Sequence, residues 1–212
     1  GMYSTQFYMG SQRGYTRARI SDKDIESTKQ LLQQFPMNVF THSPVTYNLA
    51  GSVGLKSLAW SGNKEVDDMM DALVKSLTYE LSVLNKIGAK GTVIHPGCYL
   101  KKDKMKPEER ETARDLAITA IANTLNKVKH EGSAKILLEN AAGENGKAAF
   151  SLEHLSKIRD KCDDKEHIGF CIDTAHIQGS GVYNLSKCEE VDRMICDFEK
   201  YGHVELVHLN DS

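Results

Sequence analysis

Short β-branched runs alternate with long stretches of helical periodicity along this chain. The runs fall at residues 4–9, 37–41, 91–95, 134–139, 168–173 and 204–209, and their length and Val/Ile/Thr content predict strands. Between them the apolar positions repeat at helical spacing. Ser21 is placed to cap a helix carrying Ile25, Thr28, Leu31, Leu32 and Phe35. A long helix follows Gly62 with Val66, Met69, Met70, Leu73, Val74, Leu77, Leu81 and Leu84, and stops near Gly88. Pro107 suits the first turn of a third, whose inner stripe is Ala113, Leu116, Ala117, Ile121, Leu125 and Val128. Ser151 caps a fourth, with Phe150 and Leu155 spaced as a hydrophobic staple. Ser186 and Glu189 have capping-box spacing for the last, which Gly202 ends.

The order is strand–helix repeated and closed by a strand, the pattern of parallel strands joined by helical crossovers. It predicts an α/β fold: a TIM-type (β/α) barrel, incomplete, with about six parallel strands, as one domain over residues 1–212. No internal repeat or linker breaks the chain. The irregular stretches 10–20, 43–62, 97–106, 140–149 and 174–185 each follow a strand. Long loops on the strand-exit side mark that side as the working face.

Composition narrows the picture modestly. At 212 residues the chain is shorter than a full barrel, which typically needs about 250. The net charge of −2 means that a nucleic-acid partner would have to be gripped by a local basic surface. No apolar run is long enough to span a membrane, no signal-peptide pattern opens the chain, and Gly1 before Met2 reads as a tag scar. Five cysteines, odd in number and without Cys-x-x-Cys spacing, point to an intracellular, reducing compartment and away from a disulfide framework or thiolate metal site.

The chemistry gathers at the strand ends. His42, His95, Glu139, Asp173 and His208 each close an apolar run, and His176 stands three residues beyond Asp173. A barrel brings such ends to one face, where imidazoles and carboxylates suit a divalent transition metal. Neighbouring ends group His42, His95 and Glu139, and Glu139 is placed to be shared with Asp173 and His208 at a second metal. The loop from Gly10 to Arg19 carries three arginines and Tyr15, and the run from Lys101 to Lys106 adds positive charge on the same side. Each is a solvated loop or, taken together, a grip for phosphate oxygens. His130, His154, His167 and His203 lie away from the strand exits and receive no role.

Several motifs together resemble the endonuclease IV family of apurinic/apyrimidinic endonucleases. They are Thr41-His42-Ser43-Pro44, His95-Pro96-Gly97, Leu138-Glu139-Asn140-Ala141-Ala142-Gly143, Cys171-Ile172-Asp173-Thr174-Ala175-His176 and His208-Leu209-Asn210-Asp211-Ser212. The resemblance implies a TIM-type barrel with up to three zinc ions that cuts DNA 5′ to an abasic nucleotide, leaving a 3′-hydroxyl. It implies that His42, His95 and Glu139 hold the first zinc, that Glu139, Asp173 and His208 contribute to the second, and that His176 contributes to the third. Glu139 is then the residue at the centre of the chemistry. Gln12, Arg13, Tyr47 and Asn48 would face DNA containing abasic sites, and Val45 stands where the family often has an aromatic side chain. The six strands would correspond to the family's second to seventh, giving one complete ligand set and an open sheet whose edges invite association. A metal-dependent sugar isomerase or epimerase on the same barrel type, and a non-catalytic module for damaged DNA, are the competing readings.

Overall fold

The computed structural model describes residues 3–15, 17, 19–51, 64–99, 105–143 and 146–210. Lys101, Lys102 and Lys104 of the basic run, and Asp211 and Ser212 of the last motif, lie outside the described residues. Strands β1 (Ser4–Phe7), β2 (Asn38–His42), β3 (Gly91–Ile94), β4 (Lys135–Glu139), β5 (Ile168–Asp173) and β6 (Val204–His208) alternate with helices. These are α1 (Asp22–Gln34), α2 (Lys64–Ile87), α3 (Pro107–Leu125), α4 (Leu152–Asp160), α5 (Thr174–Ser180) and α6 (Cys188–Tyr201). The six strands form one parallel sheet in chain order, curled into a half-barrel with helices outside. Sequential order is what right-handed βα crossovers produce when each strand is laid beside the last.

The main core lies between the sheet and the helices. Met70, Leu73, Leu77, Leu81 and Leu84 of α2 and Ala113, Ala117, Ile121 and Leu125 of α3 pack on outward-facing Val39, Ile94, Ile136, Leu138 and Phe170. Val128 follows α3 into this core. Among the described residues β1 and β6 each have one strand neighbour, and Phe7, Leu31, Phe35, Ile195 and Val207, on or beside the end elements, are exposed. No helix is long and apolar enough to cross a membrane among the described residues.

The caps at Ser21 and Ser151 form as expected, each side chain accepting from the backbone N–H three residues on. Two expectations need correction. The last helix begins at Cys188 with Lys187 as its cap, because the Ser186 N–H and hydroxyl both donate to Asn184 Oδ1, at 3.1 and 2.7 Å, in a turn that leaves Ser186 one residue outside the cap position. The stretch after β5, expected to be irregular, opens with α5. Asp173 caps it by accepting from His176 N–H at 3.0 Å, and Gly181 ends it in the left-handed region at φ 71°.

His154, in the first turn of α4, packs edge-on against Phe150, whose ring also carries the Arg114 guanidinium. Burial, then the nearby Arg114 charge, push the His154 imidazole down to about 4. A histidine held neutral in the fold but protonated when unfolded costs stability as pH falls from its unfolded value near 6.5 toward 4. At this partly exposed site the loss should be about 1–2 kcal/mol. Urea melts at pH 7.5 and 4.5 should show it, and His154→Gln should remove that part of the pH dependence.

Candidate active site at the strand exits

Period-2 alternation builds the site in layers. Phe40, Val93, Leu137 and Cys171 form a small buried cluster inside the arc, with Leu206 packed against it. Two residues further along the same strands stand His42, His95, Glu139, Asp173 and His208, so each polar side chain shares a face with the apolar one beneath it. The fifth case depends on a bulge. Phe170 pairs with Val204, but Cys171 pairs with Leu206, so the ladder skips Glu205. Without that extra residue Val207 would take the inward position; with it, Asp173 pairs with His208.

Glu139, 2% exposed, is the hub. Its Oε2 lies 3.1 Å from His42 Nε2 and 2.8 Å from His95 Nε2. Its Oε1 lies 3.0 Å from His208 Nδ1 and 3.7 Å from His176 Nδ1. Asp173 Oδ2 sits 3.7 Å from His208 Nδ1. Burial alone would raise the Glu139 carboxyl, but hydrogen bonds from His208, His42 and His95 outweigh it and hold the group far below the usual carboxylate range. The same contact raises His208. The donor set fits a cation. His42 Nδ1 donates to Ser43 O at 2.7 Å, so in a neutral ring Nε2 would present its lone pair to the Glu139 carboxylate, and the contact needs a proton or a cation between them. Two acceptors face each other stably when a positive charge lies between them. His208 Nε2 is buried with no hydrogen-bond partner. At this end of the sheet, among the described residues, three groups bring ligand atoms within 4.8 Å of one another: His42–His95–Glu139, Glu139–Asp173–His176 and Glu139–Cys171–His208. All six residues expected to hold metal therefore meet around one carboxylate. Cys171 joins them geometrically, but burial, reinforced by Glu139, raises its thiol and keeps it protonated.

A family model described as xylose isomerase-like TIM barrel matches residues 1–212. The chain belongs to this family of TIM barrels. Among curated relatives, a probable endonuclease 4 of Staphylococcus aureus strain JH9 is 26% identical over 217 residues, covering 100% of this chain and 65% of the relative. The chain thus spans slightly under two thirds of that relative's length. Endonuclease IV from Thermus thermophilus superposes with a TM-score of 0.63 at 22% identity, covering 98% of this chain and 66% of that one. A D-tagatose 3-epimerase-like protein superposes at 0.59 and 18% identity, over 99% and 67% respectively. These superpositions establish the fold that the strand pattern predicted.

In this TIM barrel the imidazole–carboxylate ring is braced by groups the sequence did not mark for a role. Asn140 closes a two-way clamp on the end of β5, its Oδ1 accepting from Asp173 N at 2.7 Å and its Nδ2 donating to Asp173 O at 3.2 Å. Asn210 Nδ2 donates to Asp173 Oδ2 at 2.5 Å. His176 Nδ1 donates to Asn140 O at 2.8 Å. Behind β2 and β3, Glu80 of α2 is fully buried and accepts from Arg17 Nη2 at 2.5 Å, Thr41 Oγ1 at 2.6 Å, Thr92 Oγ1 at 2.9 Å and Ser43 Oγ at 3.3 Å. This network fixes the outward side of the strand end whose inward side carries His42. One signal was available: Glu80 falls within the stripe Leu73–Leu77–Leu84, and a carboxylate on a helix's buried face requires a buried partner.

The first loop divides its residues between two tasks. Gln12 and Arg13 are exposed at the mouth, and Gln12 O accepts from Val45 N at 3.1 Å. Arg17, read from sequence as part of a phosphate grip, is instead buried on Glu80. Tyr15 donates to Thr46 O at 2.9 Å and stacks on Tyr47. Tyr47 and Asn48, expected at the DNA surface, face inward. Tyr47 is 2% exposed and donates to Ser76 Oγ at 2.6 Å. Asn48 Nδ2 donates to Gly51 O and Cys98 O, and its Oδ1 accepts from Ala50 N and Cys98 N. That side chain fills the space a Cβ on Gly97 would need: Asn48 Oδ1 would lie 2.1 Å away, and φ is already +116°. Asn48 holds the loop that follows His42 against the loop that follows His95, and Tyr47 anchors the same loop to α2.

Proposed function

We propose that this TIM barrel carries the zinc-dependent phosphodiester hydrolase site of an apurinic/apyrimidinic endonuclease, acting on DNA 5′ to abasic nucleotides. The observation that carries the reading is the ring of four imidazoles and Asp173 around buried Glu139, opening beside the exposed Gln12–Arg13 loop. The likeness to endonuclease 4 over the whole chain supports it. His42, His95 and Glu139 would hold one ion, and Asp173, His176 and His208 would share Glu139 with others. When bound, zinc neutralises charge on the phosphate and leaving oxygen and lowers the pKa of water. Glu139 stays ionised across the working pH range and keeps the imidazoles convergent. The apolar floor of Phe40, Val93, Leu137 and Cys171 keeps water out from below. Arg13 donates to a phosphate oxygen and sets the strand's position. An abasic nucleotide has no base to unstack, so bringing its backbone to the ring costs little.

The test is incision of an abasic duplex by the zinc-loaded chain, before and after chelation. The expected result is a cut 5′ to the lesion with a 3′-hydroxyl end, lost on chelation and restored by zinc. Arg13→Ala should weaken duplex binding about tenfold and reduce the slope of log affinity against log salt by about one. A second reading, a metal-dependent sugar epimerase, draws on the likeness to the D-tagatose 3-epimerase-like protein. Turnover of a ketose with no incision would install it in place of the nuclease. Salt-sensitive binding of abasic DNA with no cutting would leave a recognition module.

A further inference from the structure

A second set of metal-ligand side chains lies at the opposite end of the strands. His130 precedes β4, while Asp164 and His167 precede β5, and one ligand atom from each lies within 4.8 Å of the others. Three details separate this cluster from a chance grouping of polar residues. His167 Nε2 lies 2.7 Å from Gly132 O and can only donate to that carbonyl, so in the neutral ring the lone pair sits on Nδ1. Asp164 Oδ2 lies 2.7 Å from that same Nδ1, a carboxylate against a lone pair. A positive charge must sit there, either a proton or a cation. A backbone carbonyl that fixes the tautomer of a ligating histidine is the usual outer support of a metal site. His130 Nδ1 is buried and has no hydrogen-bond partner, and its ring stands 5.2 Å from that of His167. The void beside His130 and Asp164, about 40 Å³ and lined also by Asp163 and Cys162 among others, has room for one ion or water.

We propose that His130, Asp164 and His167 bind one late first-row divalent cation, zinc foremost, at a structural site separate from the Glu139 ring. Two imidazoles and a carboxylate are a donor set suited to zinc, cobalt or nickel and poorly suited to magnesium or calcium. Cys162 lines the void but is not a ligand: its thiol donates to Ile158 O, and burial pushes it up to about 12. The ion would join two turns that already touch, since Asp163 N–H donates to Asn126 Oδ1 at 2.9 Å. It would thereby tie the segment after α3 to the entry of β5. The strand-entry end of a (β/α) barrel is where residues serve stability, and a cross-link there fits that division of labour.

The test counts zinc ions per chain by native mass spectrometry. Binding is followed by calorimetry for the parent, Asp164→Asn and the double variant His130→Ala/His167→Ala. The expected result is one zinc fewer in the double variant and at least tenfold weaker binding of that ion in Asp164→Asn, a nearly isosteric change of a half-exposed side chain. The same loss should appear in a Glu139→Gln background, which separates the two sites. Should a variant fold poorly, imidazole ¹⁵N resonances of the parent decide. Zinc should shift both His130 and His167. Unchanged stoichiometry and affinity in folded variants, or imidazole resonances that ignore zinc, would overturn the proposal.

Discussion

Glu139→Gln should cost the chain at least about 100-fold in zinc affinity at the strand-exit site and reduce hydrolysis to background. Outer supports of a metal site alone are worth about 10–100-fold, and Glu139 is the one residue shared by every ligand group there. Glutamine keeps the size but removes the charge, and it replaces a carboxylate oxygen by an N–H₂ that cannot ligate a cation. The buried side chain makes contacts within 3.1 Å to His42, His95 and His208, so a neutral replacement disturbs all of these contacts at once. Competition with a chromogenic chelator measures the affinity, and a circular-dichroism spectrum checks that the sheet is intact. Parental zinc affinity in the Glu139→Gln protein would show that the ring is a hydrogen-bonded cluster and no more.

The second large effect should come from a residue that touches none of the proposed chemistry. Glu80→Ala removes the acceptor for Arg17, Thr41, Thr92 and Ser43 together. The Arg17 side chain, 1% exposed, would be left with an uncompensated charge, and its Nε and Nη1 already lack partners. Breaking a buried pair by deleting one member typically costs about 3–5 kcal/mol. For a chain of this length that corresponds to roughly 10 °C in Tm. Replacing both partners, Arg17→Met with Glu80→Leu, should recover much of the loss, because apolar groups of similar size avoid the desolvation penalty. Thermal and urea unfolding of the two singles and the double close the cycle. A loss below about 1 kcal/mol in Glu80→Ala would mean that water reaches the pair in solution.

The contrast between these two residues shows what the chain's order of letters reveals. Strand ends were legible because each candidate ligand closes an apolar run, and a parallel βα order sends every such end to one face. Helix starts at Ser21 and Ser151 were legible because their caps are local. Arg17 was misplaced because its partner lies 63 positions away, and nothing near it distinguishes a buried guanidinium from an exposed one. Tyr47 and Asn48 failed as surface residues for a related reason: whether a loop side chain turns inward depends on the loop beside it. α5 was hidden by its seven residues and by a cap, Asp173, already read as a ligand. The bulge opposite Cys171 left no mark in the composition of β6, yet it decides which way His208 points.

The two-residue stagger between apolar floor and polar ring carries a consequence for assembly of the sheet. Sliding any stave by a single position would swing its imidazole or carboxylate into the greasy layer beneath the helices and aim an aliphatic group at Glu139. Misaligned arrangements are therefore penalised twice, once for a stranded charge and once for a hole in the floor. The residues best placed to perform chemistry thus also proofread the pairing that creates them.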